Sequence, residues 1–166
     1  MAQKLFPQLP NDKETLVMLQ QLNEVGSQMV NHKTQTVHKA GVILVGLSVM
    51  PEFDDFGYFL VHQECSKDYL ALGEWYNPII NRGQGYALSI INKEIGDMGD
   101  YFNSFQLAMY HINERAKRDD TFVPLNTILW TFYMSLYSKK KFENFVDRIF
   151  KILEDRAKVQ INPQLN

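Results

Sequence analysis

The longest helical periodicity in the chain lies between Tyr86 and Arg118. Leu88, Ile91, Ile95, Met98, Phe102, Phe105, Met109, Ile112 and Ala116 follow steps of three and four without a miss. That spacing is the seam of an amphipathic helix. It predicts one continuous helix over about 86–118. At 1.5 Å per residue such a helix is about 50 Å long, whereas a compact chain of this size is roughly 40 Å across. An overlong helix needs cover from a neighbour.

Shorter helices are predicted on both sides. Asn11 or Asp12 is a good N-cap for a first helix, with Leu16, Leu19, Leu22, Val25 and Met29 inward and Gly41 as a stop. Ser66 is read as the cap of a helix carrying Tyr69, Leu70, Leu72 and Trp75 that ends near Pro78. Pro124 suits the first turn of another helix, with Leu125, Ile128, Leu129, Phe132, Tyr133 and Leu136 inward. A last helix from about Lys139 to Lys158 buries Phe142, Phe145, Val146, Ile149, Phe150 and Leu153.

One aliphatic run, Val42 to Met50, is apolar on both sides and rich in β-branched residues. Those features suit a buried strand, and "GYFLVHQ", 57–63, would pair with it across a turn. A buried helix over 37–50 is the rival. The expected fold is therefore mainly α: an antiparallel helical bundle around a long central helix, with a short β-hairpin at 42–63. A single domain over 1–166 is expected, with residues 1–11 as an extended arm and 159–166 as a tail. Pro7 and Pro10 keep the arm extended, and Leu5, Phe6 and Leu9 give it an apolar side.

Two glycines interrupt the long helix in "NKEIGDMGDYF", Asn92 to Phe102. Each costs up to about 1 kcal/mol in a helix interior, yet the apolar phase runs through them. At about 100° per residue, Asn92, Gly96, Gly99, Asn103 and Tyr110 line up beside the stripe. Small side chains in a row admit a close neighbour, either a helix of the same chain or a second subunit. These five residues, with Leu5, Phe6 and Leu9 of the arm, are the candidate partner-binding set.

Composition narrows the function classes. The net charge is −2, unlike a binder dominated by nucleic-acid backbone contacts. Charge is uneven all the same. Residues 51–80 hold one lysine against six acids, and residues 139–158 hold seven bases against four acids. Lys139, Lys140, Lys141 and Lys151 would form the phosphate-contacting set of a nucleic-acid-associated regulator. Three lysines at a helix start also oppose the helix dipole, which suggests an acidic neighbour such as 51–80.

Catalytic patterns are weak. His111 and Glu114 make an HxxE pair of the kind found in helical metal sites, but no second such pair occurs. Cys65 is the only cysteine, so no intrachain disulfide forms, and no family signature marks it as a nucleophile. "RGQG", 82–85, lacks the lysine and hydroxyl of a phosphate-binding loop. No secretory leader is read at the N-terminus, and the longest aliphatic run is too short to cross a bilayer. The expectation is an intracellular, non-enzymatic protein-interaction or assembly protein. It is homo-oligomeric, without a cofactor and away from membranes. A nucleic-acid regulator and a helical metalloenzyme are the alternatives.

Overall fold

The computed structural model describes residues 8–49, 56–67 and 81–161. Asp12 starts the first helix, α1 (Lys13–Val30). Its carboxylate accepts from the Thr15 N–H at 2.8 Å, satisfying an otherwise orphaned donor. The expected inward stripe is corrected at its start. Leu16 is 56% exposed, and the buried face runs through Thr15, Met18, Leu19, Leu22, Val25, Gly26 and Met29. Thr15 turns inward because its hydroxyl donates to Asp12.

The hairpin expected at 42–63 is not formed. Val42 to Ser48 belong to α2 (Gln35–Ser48), and residues 56–67 form α3. Val37, Ala40, Gly41, Ile43, Leu44, Leu47 and Ser48 are buried, a helical period inside what looks like a uniformly apolar run. Burial outweighs the strand preference of Val42, Ile43 and Val45. Gly41 is no stop. It lies inside α2, at the crossing with α1, where a Cβ would stand 2.6 Å from the Val30 nitrogen and 2.7 Å from the Gly26 carbonyl. Gly26 meets Gly41 from the other side at 2.9 Å. Two glycines thus let the α1 and α2 backbones touch. Asn23 donates to Ser48 Oγ at 2.9 Å across the same pair.

Ser66 lies inside α3 and caps nothing there. The predicted continuation through Tyr69, Leu70, Leu72 and Trp75 falls outside the described residues. So does most of the turn expected at 51–56, of which only Phe56 is described, in α3.

The single long helix is also corrected. α4 (Gln84–Glu94) ends at Ile95, whose φ of −138° and ψ of 61° leave the helical region. A 3₁₀ turn, Gly96–Met98, follows, and then α5 (Gly99–Ala116). Ile91, Met98, Phe102, Phe105, Met109 and Ile112 are all buried even so. A three-residue 3₁₀ turn changes the direction of the chain while the next helix faces the same core. Preserved phase was therefore no proof of continuity. Low helix propensity at the glycines weakens the helix here. Tertiary contacts hold the alternative: Thr34 Oγ1 donates to Asp97, and His32 meets Tyr101 edge-on at 6.1 Å.

A second 3₁₀ turn, Asp120–Phe122, leads into α6 (Val123–Ser135), with Pro124 in its first turn as expected. α7 (Lys139–Ile161) closes the described chain. Contacts run in a circuit: α1 on α2, α2 on α7, α7 on α6, α6 on α5, α5 on α1. The core inside it is aromatic. Phe132 of α6 lies 4.9 Å from Phe105, 5.6 Å from Phe142 and 5.8 Å from Phe145, ring centre to ring centre. α3 lies along α7, joined by Glu64–Arg148 at 3.0 Å and by the Arg156 guanidinium over the Phe56 ring. Glu64 of the acidic 51–80 segment thus meets α7 at Arg148, in the middle of the helix and not at the lysines of its start. Among the described residues no helix is long and apolar enough to cross a membrane.

Candidate functional site

α5 carries two stripes. The inner one is the buried series just described. The outer one is Asp100, Asn103, Leu107, Tyr110 and Glu114, continued by Lys117 at the C-cap in helical conformation, again in alternating steps of three and four. It is offset from the inner stripe by two residues, about 200° around the helix. Leu107 is 53% exposed and Tyr110 57% exposed. Two large hydrophobic side chains one turn apart on an open helix face make a small apolar patch flanked by polar groups.

The predicted partner strip is split by the break at Ile95. Asn103 and Tyr110 stay on the outer face of α5. Asn92 and Gly99 are brought together, since a Cβ on Gly99 would meet the Asn92 amide oxygen. Gly96 is exposed with no other group within 4 Å of its Cβ position. No backbone of the described chain crosses closely at Gly96; the close crossing sits at Gly26 and Gly41 instead. Leu107 was missed because only the strongest apolar phase was followed. A second search at the same period, two residues out of step, would have found it. Of the arm, Leu9 packs against the core, and Leu5 and Phe6 lie outside the described residues.

Tyr110 also borders a groove of about 490 Å³ between α5 and the start of α1. Val17 and Met18 line it from α1, with Lys13, Glu14 and Arg118 among its charged residues. His111 and Glu114, the candidate metal pair, line it too. His111 Nδ1 is 3.0 Å from Gln21 Oε1, and Glu114 accepts from Lys117 at 2.9 Å. Among the described residues no three His, Cys, Asp or Glu side chains are grouped to hold a metal ion.

Arg115 also lines this groove and is 8% exposed. Its guanidinium reaches Asp12 at 2.9 Å, Asp119 at 3.2 Å and Glu14 at 3.3 Å. The plane covers the Phe122 ring at 4.9 Å. Five donors in a planar fork suit this role better than an ammonium group. The cluster ties the start of α1, the end of α5 and the turn before α6. The Arg115 hydrogen bond, with those from Thr15, holds the Asp12 carboxyl well below the ordinary carboxylate range. Asp119 is lowered too, by Thr121 first and then Arg115.

These depressed carboxylates contribute stability above their unfolded pKa of about 4. The contribution disappears as pH falls through the folded values. Arg115→Met is expected to cost about 2 kcal/mol at neutral pH, through lost charged hydrogen bonds. Its disadvantage should shrink as pH is lowered from about 4 toward 2. Denaturant unfolding of both proteins across that range checks this, and a constant difference would refute it.

The basic set does not make one surface. Lys139, Lys140, Lys141 and Lys151 are all exposed. Lys151 lies three turns beyond Lys140, with Asp147 between them, and it pairs with Asp155 at 4.0 Å. Cys65 is buried in α3. Burial lowers the His62 pKa and raises that of Tyr58, so this cluster is apolar in character. "RGQG" forms the turn into α4, with Gly83 at φ 92°, a conformation that favours glycine.

No family model, curated protein or solved structure matches the chain.

Proposed function

We propose that this chain is a non-enzymatic helical protein-interaction module that self-associates through the outer face of α5. The observation that carries this is the exposure of Leu107 and Tyr110 together, 53% and 57%, on one open helix face. Large aromatic and aliphatic side chains are costly to leave in water, and tyrosine is enriched where interfaces concentrate their binding energy. The groove beside Tyr110 extends the same apolar surface toward Val17 of α1. Asn103, from the small-residue strip, lies exposed on the same face.

Sedimentation equilibrium over a range of protein concentrations tests the proposal. The wild-type chain is expected to form a reversible dimer, and Tyr110→Glu to be monomeric with unchanged helical circular dichroism. A wild-type chain that stays monomeric at high micromolar concentration would overturn it. Tyr110 is too exposed for its loss to unfold the bundle, so a change in assembly reports on the surface.

A further inference from the structure

We infer that the occupant of this face is a second copy of the chain, with the two α5 helices antiparallel across a two-fold axis near Ala108 and Met109. This rests on the self-association proposed above and gives it a geometry. The outer stripe reads Asp100, Asn103, Leu107, Tyr110, Glu114, Lys117. Turned end over end and laid on itself, it places Leu107 against the second copy's Tyr110, and Tyr110 against its Leu107. Asp100 then faces the second copy's Lys117 at one end, and Lys117 faces its Asp100 at the other. Asn103 and Glu114 fill the intermediate positions, a short amide opposite a carboxylate.

The stripe is thus self-complementary, with an apolar centre and an opposite-charge pair at each end. An isologous contact requires that property, because each copy presents the same patch. Asp100 and Lys117 stand about 25 Å apart along the helix, so the end pairs bracket the patch. Charge also selects the direction. A parallel pairing about a two-fold axis would set Asp100 on Asp100 and Lys117 on Lys117. The antiparallel pairing turns both repulsions into attractions, and such complementarity fixes register more than it adds affinity. Lys117 already pairs with Glu114 at 2.9 Å within the chain, but both are solvent-exposed, and exposed pairs of this kind exchange partners at little cost.

The test is a charge exchange. Asp100→Lys and Lys117→Asp are prepared singly, combined, and mixed with each other. Each single variant sets two like-charge pairs across the interface, and its dimer dissociation constant should rise about tenfold. The double variant restores both attractions and should dimerise like wild type. An equimolar mixture of the two single variants should form heterodimers of near wild-type strength, because each copy supplies the charge the other needs. Sedimentation equilibrium at low salt reads all four cases.

If the single variants dimerise as tightly as wild type while Tyr110→Glu is monomeric, this register is wrong and self-association stands. A monomeric wild type would overturn both. A wild type that dimerises only when residues 1–7 are removed would assign the face to the chain's own N-terminal segment, and would likewise overturn the inference.

Discussion

Phe132→Ala is expected to destabilise the protein by about 4 kcal/mol, the range measured for large-to-small changes at fully buried aromatic sites. Phe132 has no exposed surface and touches three other phenylalanine rings, Phe105 of α5 and Phe142 and Phe145 of α7. Removing it takes away the side chain common to three helices. The cavity would be enclosed by rigid rings on three sides, so collapse around it is limited, and the cost includes both lost transfer energy and lost packing. Phe132→Leu retains much of the volume and should cost less than half as much. Guanidinium unfolding is the measurement, with an unchanged slope showing that the denatured state is not the cause. Loss of less than about 1 kcal/mol on Phe132→Ala would mean that this aromatic junction is not the centre of the core.

Gly41→Val should have an effect of similar order, about 3 kcal/mol or more. The obstacle is backbone. The Val30 nitrogen and the Gly26 carbonyl lie 2.6 and 2.7 Å from the Cβ position, and neither can rotate away as a side-chain end can. Any side chain here must push α1 and α2 apart, loosening Met29, Leu44 and the neighbouring core. Gly41→Ala should cost less, about 1–2 kcal/mol, because the gain in helix propensity offsets part of the clash. The control is Gly96→Ala, where nothing lies within 4 Å. Stability there should change by no more than about 0.5–1 kcal/mol. For a chain of this size each kcal/mol shifts the thermal midpoint by about 2–4 °C, so melting curves separate the two glycines. Equal effects at Gly41 and Gly96 would remove the α1–α2 crossing as the reason for glycine.

The contrast between these glycines shows where sequence reading reached its limit. Gly96 and Gly99 stood out because they interrupt a strong periodic pattern. Gly26 and Gly41 did not, because Gly26 sits inside the first stripe without breaking it, and Gly41, just ahead of an aliphatic run, reads as a helix stop. Their importance comes from meeting each other, fifteen residues apart, and helical spacing within one segment cannot show a contact between two. Arg115 is similar. In sequence it is one more base near a helix end; in the fold it meets Asp12, Glu14 and Asp119, two of which lie about a hundred residues away.

The candidate surface was half legible. Tyr110 and Asn103 were found from helical spacing and do sit on the open side of α5. Leu107 was passed over because a lone leucine off the main stripe looks incidental. Only its exposure beside Tyr110 in the fold makes it part of a patch. The basic residues went the other way: grouped by composition, they are interrupted on the helix by Asp147, and Lys151 pairs with Asp155.

By itself the sequence determined the helical class, a cap at Asn11 or Asp12, the Pro124 entry to α6, and most of the large apolar residues that α5, α6 and α7 bury, though not Ala108, Arg115, Thr131, Met134 or Ser135. Those follow from local chemistry: a side chain bonding its own backbone, a ring that fixes φ, and a 3.6-residue period. The tertiary structure decided the rest. It made Val42–Ser48 a helix, because burial on a close α1–α2 contact outweighs strand preference. It broke the long helix at Ile95, because Thr34 and His32 hold Asp97 and Tyr101 in place. And it separated the two stripes of α5 into a core and an open face, since which of two equally periodic faces is buried depends on where the neighbouring helices stand.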